Sequence, residues 1–273
     1  MNPRRASMRR TPLPRPSEAL GRPYDLPGGP DAALLLHGLS GSPFELRPLA
    51  DRLYLEGIRC LGPLLAGHGG GPQELRGVLW TDWVARARED LFRLRGARRT
   101  FVVGCSMGAL VALALAHDHP DHVDGLALLS PALRLAPGPA LGGLLARRTP
   151  IGGLLPLLPK GASDVRDDEM RRLNPAMKSI PVSAVGELQR LADHVDRLLP
   201  GVAAPAIVLA GARDHTVRLS GAKRIARRIG SAPAKLVVLK ESYHLVGIDV
   251  ERDVVADEVA AFFAGIPVPA QGA

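Results

Sequence analysis

Three residues far apart in the chain have types and settings suited to covalent acyl transfer: Ser106, Asp214 and His244. Ser106 is the centre of Gly104-Cys105-Ser106-Met107-Gly108. The apolar run Phe101 to Val103 leads into this turn, and an Ala/Leu-rich helical stretch follows it to about His117. A strand, a G-x-S-x-G turn and a helix in succession can lift a serine hydroxyl out of a sheet. The serine backbone must then adopt unfavourable dihedrals, and flanking glycines let strand and helix approach closely. Read alone, the motif could be an ordinary Gly-Ser turn. The chemistry becomes specific only with a base and a group to orient that base.

Asp214 stands in Gly211-Ala212-Arg213-Asp214-His215-Thr216-Val217, directly after the strand-like run Ala206 to Ala210. His244, in Ser242-Tyr243-His244, follows the run Leu236 to Leu239 by five residues. If those strands are parallel, all three residues belong to one sheet edge. His244 would take the Ser106 proton, and Asp214 would hold its tautomer. The bland reading of Asp214 is a turn-capping side chain. His215 is a rival base, but sequence neighbours rarely face each other as base and orienter do. Asp121 and Asp124 are rival acids, although Asp124 precedes its strand and so lies at the wrong end.

An oxyanion needs two N–H donors. Met107 supplies one as the first residue of the helix, where amides lack intrahelical partners. Leu39, in His37-Gly38-Leu39-Ser40-Gly41-Ser42-Pro43 after the first core strand, is the second. His37 is expected to brace that loop by hydrogen bonding, and Ser40 or Ser42 could touch substrate. Gly67-His68-Gly69-Gly70-Gly71 reads as a mobile loop without a nucleotide-binding context. His117, His119 and His122, with Asp118 and Asp121, look like metal ligands on paper but fall at a helix end away from that edge. No metal and no organic cofactor is expected.

The elements that must position these residues alternate. Ala32 to Leu36, Ile58 to Leu61, the run into Ser106, Val123 to Leu129, Ala206 to Ala210 and Leu236 to Leu239 read as strands. Helices are expected over Pro43 to Leu55, from an N-cap at Thr81 to Leu94, after Ser106, over Leu219 to Ile229 and over Val250 to Phe263. Near-continuous apolar strands alternating with helices imply a mostly parallel α/β sheet covered on both faces. Ala132 to about Gly201 breaks the rhythm: first rich in Leu, Gly and Pro, then charged and helical around Asp167 to Leu173 and Val182 to Leu199. Such a length between two strands is expected to fold as a helical lid over the strand ends, its leucines lining an apolar pocket. The boundaries are a basic proline-rich tail over 1–30, ordered near Tyr24 to Leu26, core over 31–131, lid over 132–201, core over 202–266 and a terminal tail over 267–273.

Composition excludes several classes. The chain has 273 residues, 46% hydrophobic, with a formal net charge of +8. Arginines are scattered and aromatics are only 4%, which does not suit a nucleic-acid-binding face. No run approaches a membrane span, so no integral membrane association is expected. The first thirty residues lack the apolar stretch of a secretory signal. The two cysteines, Cys60 and Cys105, lie in apolar runs and read as reduced core residues, so a cytoplasmic setting is expected.

The motifs H-G-L-S-G-S-P, G-H-G, G-C-S-M-G, G-A-R-D-H-T-V and Y-H occur in this order. Together they resemble the α/β-hydrolase superfamily, and within it the bacterial carboxylesterase and monoacylglycerol lipase group. The segment Pro63 to Trp83, with G-H-G, P-Q-E-L and D-W, carries the most specific likeness. The resemblance spans roughly Ala32 to Ala264. It implies a small lid, Ser106, Asp214 and His244 as the triad, and Leu39 and Met107 as oxyanion amides. It also implies action on short- to medium-chain acyl esters or monoglycerides, small-molecule substrates that need no cofactor. Thioesterase, acyltransferase or C–C bond hydrolase chemistry would use the same three residues, and a catalytically silent binding fold is the remaining alternative.

Overall fold

In the computed structural model, residues 20–137, 157–231 and 234–268 are described. In chain order the strands are β1 (Tyr24–Leu26), β2 (Ala32–Leu36), β3 (Arg59–Gly62), β4 (Thr100–Cys105), β5 (Gly125–Leu129), β6 (Leu157–Pro159), β7 (Ser179–Pro181), β8 (Ala206–Gly211) and β9 (Lys235–Leu239). The helices are α1 (Arg47–Leu55), α2 (Trp80–Phe92), α3 (Met107–Asp118), α4 (Asp168–Leu173), α5 (Val182–Leu198), α6 (Leu219–Arg228) and α7 (Arg252–Ala264).

Seven strands form one sheet in the order β1-β3-β2-β4-β5-β8-β9. All neighbours are parallel except β1, which runs antiparallel to β3. This is an α/β-hydrolase fold with a mostly parallel central sheet. Period-two alternation sends side chains to both faces, and both faces are apolar because helices cover both. Ala32, Leu34 and Leu36 of β2 enter one core with α2, α3, α5 and α6. Ala33 and Leu35 enter the other with α1 and α7. Helix α3 is buried from Met107 to Ala116, packed against β4 and β5 as well as α2 and α5. That explains why its sequence is apolar on every side rather than striped.

Three local readings change. The expected helix over Pro43 to Leu55 is a 3-10 turn, Pro43–Leu46, followed by α1. Helix α2 begins at Trp80, and Leu79 caps it. Thr81 therefore lies inside the first turn and is not the N-cap. Asp82 does the capping work instead, because its Oδ2 accepts the Leu79 N–H at 2.9 Å. Finally, the sheet begins earlier than 31: Tyr24 pairs with Gly62, whose missing side chain leaves room for the Tyr24 ring. The rest of the expected tail, residues 1–19, and most of the Leu/Gly/Pro-rich stretch, residues 138–156, lie outside the described residues.

Between β5 and β8 the described chain forms the antiparallel pair β6 and β7, then α4 and α5. Asp167 caps α4 by accepting the N–H groups of Glu169 and Met170. Because β2, β4, β8 and β9 are parallel, the loops after them open on the same edge of the sheet. Those loops carry His37 to Ser42, Ser106, Asp214 and His244.

Candidate active site

The turn after β4 is held in a strained shape by its neighbours. Ser106 has φ 54° and ψ −111°, a left-sided conformation that a non-glycine residue adopts at a cost of about 1–3 kcal/mol. A side chain on Gly104 would stand 2.3 Å from Gly108 O, and one on Gly108 would stand 2.0 Å from Leu36 O. Both glycines are therefore required by contact with backbone. The Ser106 N–H donates to Leu129 O at 2.8 Å, and Ser106 O accepts the Ala132 N–H at 3.2 Å. The strained backbone is thus paired on both sides, and the hydroxyl is left to face the site.

The structure brings Ser106, His244 and Asp214 together. His244 Nε2 is 2.9 Å from Ser106 Oγ, and His244 Nδ1 is 2.7 Å from Asp214 Oδ2. A carboxylate only accepts, so Nδ1 carries the proton and donates to Asp214. Nε2 is then free to accept the Ser106 hydroxyl proton. Asp214 is fixed in turn, since its Oδ1 accepts the N–H groups of Thr216 and Val217, both at 2.8 Å. Burial pushes the His244 imidazole towards its neutral form. The carboxylates of Asp214, Asp164 and Glu45 outweigh it and hold the His244 pKa above the usual histidine value.

The loop after β2 lies directly over the serine. A Cβ on Gly38 would sit 3.3 Å from Ser106 Cβ. Leu39 lines the same cavity as Ser106. Met107 is the first residue of α3, so its N–H has no intrahelical acceptor and lies at the positive end of the helix dipole. Buried groups hold this loop from below. Leu65 N–H donates to His37 Nε2 at 3.1 Å, which leaves His37 Nδ1–H to donate to Gly38 O at 2.8 Å. Burial, with His68 close by, lowers the His37 pKa to about 3, so the ring is a neutral brace. His68 Nε2 accepts the Ser40 N–H at 3.1 Å. The Gly67 to Gly71 loop was expected to be mobile. Its histidine is instead buried, with pKa lowered to about 4 chiefly by burial, and tied to the loop over the serine.

Two further groups were not legible in the sequence. Glu45 is buried, and its Oε2 accepts the Gly38 N–H at 2.9 Å. Burial raises its pKa, opposed by the Gly38 hydrogen bond and by Lys160. Lys160, immediately after β6, donates from Nζ to Ser40 Oγ at 2.8 Å. Burial lowers the Lys160 pKa against the pull of Glu45 and Asp164. Ser40 itself has φ 60° and accepts the Met177 N–H on its carbonyl at 2.9 Å. A side chain on Gly41 would meet the Glu45 carboxylate at 2.1 Å.

A cavity of about 520 Å³ opens over Ser106 and His244. Its apolar lining includes Leu39, Leu135, Val165, Ile180, Val185, Leu188 and Leu245. Most of these come from the chain between β5 and β8. The size and the apolar wall with a few polar groups suit a small-molecule ligand.

The remaining candidates have other partners. His215 Nδ1 pairs with Asp164 Oδ1 at 2.8 Å and does not engage Ser106. Asp124 Oδ2 accepts the Thr100 N–H at 2.6 Å, at the start of β4, the opposite end from Ser106. Ser40 lines the cavity with its hydroxyl taken by Lys160, and Ser42 is buried outside it. His119 and His122 pack edge-on against Phe92. Among the described residues, no group of three or more His, Cys, Asp or Glu side chains converges to hold a metal. Cys60 and Cys105 are buried free thiols, and burial pushes Cys60 up to about 12. No helix of the described residues is long and apolar enough to cross a membrane.

Residues 30–251 match the family described as serine aminopeptidase, S33. The chain is 30% identical over 244 residues to a thermostable monoacylglycerol lipase of Bacillus sp. (strain H-257), covering 89% of this chain and 94% of that one. It is 24% identical over 245 residues to a carboxylesterase of Bacillus subtilis (strain 168), covering 88% and 95%. Among solved structures, one from work on LipS and LipT, two metagenome-derived lipolytic enzymes, superposes with a TM-score of 0.82 at 28% identity, over 89% of this chain and 97% of that one. A Paleococcus ferrophilus monoacylglycerol lipase, at 18% identity and a TM-score of 0.75 over 90% and 98%, shares the fold.

Proposed function

Because the chain belongs to the serine aminopeptidase, S33, family and is a serine ester hydrolase, we propose that it turns over short- to medium-chain acyl esters or monoglycerides through Ser106, His244 and Asp214. The observation that carries this reading is the bridge His244 makes between Ser106 Oγ and Asp214 Oδ2. The serine chemistry follows from the tautomer. His244 Nε2 takes the Ser106 proton as Oγ bonds to the ester carbonyl carbon. The carbonyl oxygen becomes an oxyanion that accepts from the N–H groups of Leu39 and Met107. Each such donor is typically worth about 10²–10³ in kcat. The tetrahedral species collapses, and the alcohol leaves with the proton held on His244. Water then attacks the acyl-enzyme, giving its proton to His244. Collapse releases the carboxylic acid, and the proton returns to Ser106. Asp214 keeps its charge throughout and stabilises the imidazolium.

The described residues between β5 and β8 serve as the lid in this reading. Their side chains Leu135, Ile180, Val185 and Leu188 line the cavity that also holds Ser106 and would hold the acyl chain. A lipase and a carboxylesterase of similar length among the relatives support ester over other acyl chemistry. The test is hydrolysis of p-nitrophenyl esters from acetyl to palmitoyl by the purified chain. An optimum at short to medium length is expected. Turnover absent across the series, with Ser106 still reactive to an acylating probe, would overturn ester hydrolysis in favour of transfer or thioester cleavage.

A further inference from the structure

Asp164 lies in the chain between β6 and α4, outside the three residues that carry the reaction, and touches the loops of two of them. On one side its carboxylate grips the loop after β8. Oδ2 accepts the His215 N–H at 2.9 Å and the Thr216 Oγ1–H at 3.0 Å, and Oδ1 lies 2.8 Å from His215 Nδ1. On the other side its carbonyl oxygen accepts the N–H groups of His244 at 3.1 Å and Leu245 at 3.2 Å. Thr216 is also the residue whose N–H, at 2.8 Å, holds Asp214 Oδ1. The acid is therefore gripped by Thr216, Thr216 is gripped by Asp164, and Asp164 is bonded to the backbone of the base.

We propose that Asp164 is the positioning residue that sets Asp214 against His244, joining the loop of the acid to the loop of the base. The proposal rests on the triad reading given above. A good distance between Asp214 and His244 is not guaranteed by the sheet alone. The two loops leave adjacent strands and are joined by Ala212 N–H to Leu239 O at 2.7 Å and Arg213 N–H to Ser242 O at 3.3 Å, but neither bond holds the Asp214 carboxylate. The backbone half of the Asp164 link is fixed independently. Asp249 is fully buried, and its Oδ1 accepts the N–H groups of Arg166 and Asp167 while its Oδ2 accepts that of Tyr243. This pins the chain beside Asp164 to the loop of the base. Removing the Asp164 side chain should therefore release the acid loop alone, leaving the backbone contact with His244 in place.

The test compares Asp164→Ala and Asp164→Asn in the full chain, with a p-nitrophenyl ester and Ser106→Ala as the inactive control. Asparagine can keep every contact, its oxygen accepting from His215 N–H and Thr216 and its amide donating to His215 Nδ1. Alanine keeps none of them. Misplacement of a catalytic group by about 1 Å can cost 10²-fold. The expected result is a kcat about 10–100-fold lower for Asp164→Ala with KM within about 3-fold, and rescue to within about 3-fold of the parent by Asp164→Asn. The far-downfield proton signal of His244 Nδ1–H should broaden in the alanine variant and persist in the asparagine variant. Should Asp164→Ala fail to fold, Thr216→Val takes over. It removes one of the same bonds while keeping the Thr216 N–H on Asp214, and a severalfold lower kcat is expected. Unchanged kcat in the variant that folds would overturn the proposal. So would a raised KM at unchanged kcat, which would make Asp164 a substrate contact. Turnover surviving in Ser106→Ala would instead overturn the triad reading, and this proposal with it.

Discussion

His244 Nε2 stands 2.9 Å from Ser106 Oγ across 138 residues of sequence. Two parallel strands, β4 and β9, end at the same sheet edge, with β5 and β8 between them. The histidine must therefore reach back over two strands. It does so from a loop that carboxylates hold at several points: Glu251 accepts the N–H groups of Glu241 and Ser242, and Asp249 accepts that of Tyr243.

The first consequence concerns pH. In the proposed mechanism His244 must be neutral to take the Ser106 proton. Neighbouring carboxylates hold its pKa above the ordinary 6.5, so kcat/KM should fall as pH drops through a value above 6.5. Asp214→Asn removes the largest raising influence while burial still favours the neutral ring, so the limb should move to lower pH. Its kcat should fall by about 10⁴. Rates of fluorophosphonate labelling against pH, for parent and variant, measure the limb directly.

The glycines of the serine turn should be intolerant of a single methyl. Gly108→Ala puts a Cβ 2.0 Å from Leu36 O, a backbone atom of β2 that has nowhere to go. Overpacking of this kind costs about 1–3 kcal/mol. A lower Tm and a lower denaturation midpoint are expected. Gly71→Ala, where a Cβ meets nothing within 4 Å, should leave both unchanged.

Glu45 should matter through the Gly38 N–H. Glu45→Ala leaves that buried donor unpaired, at a cost of about 1–3 kcal/mol, and frees the loop that carries Leu39. A lower Tm together with a kcat reduced by about tenfold or more is expected. Glu45→Gln keeps an acceptor oxygen and should lose much less of either. Thermal melts and ester kinetics on the two variants decide it.

Chain-length preference should follow the cavity wall. Leu188→Trp places a larger side chain in the wall of the 520 Å³ cavity. Each methylene buried is worth about 0.8 kcal/mol, so lost depth removes a factor of about four per carbon. The optimum in the p-nitrophenyl series should shift to shorter acyl groups, with acetyl turnover little changed.

The features legible in the sequence were those with local signals. Ser106, Asp214 and His244 each follow an apolar run by three to five residues, and parallel strands place such loops together. The glycines around Ser106 announced a close approach, and His37 was recognised as a brace. Residues whose roles depend on partners far along the chain gave no such signal. Asp164 sits in Ala162-Ser163-Asp164-Val165, a stretch without a motif, and meets His215 across 51 positions. Lys160 meets Ser40 across 120. His68 looked like part of a mobile glycine loop because its anchor, the Ser40 N–H, is 28 residues away. Thr81 is a good cap by type, yet Asp82 reaches back to Leu79, two residues before Thr81, and fixes the helix start.

The most direct test of the central claim, that Ser106 is the nucleophile activated by His244, is covalent labelling of the purified chain by a fluorophosphonate with mapping of the modified peptide. The expected result is a single adduct on Ser106, absent in Ser106→Ala and strongly slowed in His244→Ala, with ester turnover lost in step. An adduct on another residue, or ester turnover retained by purified Ser106→Ala, would contradict it.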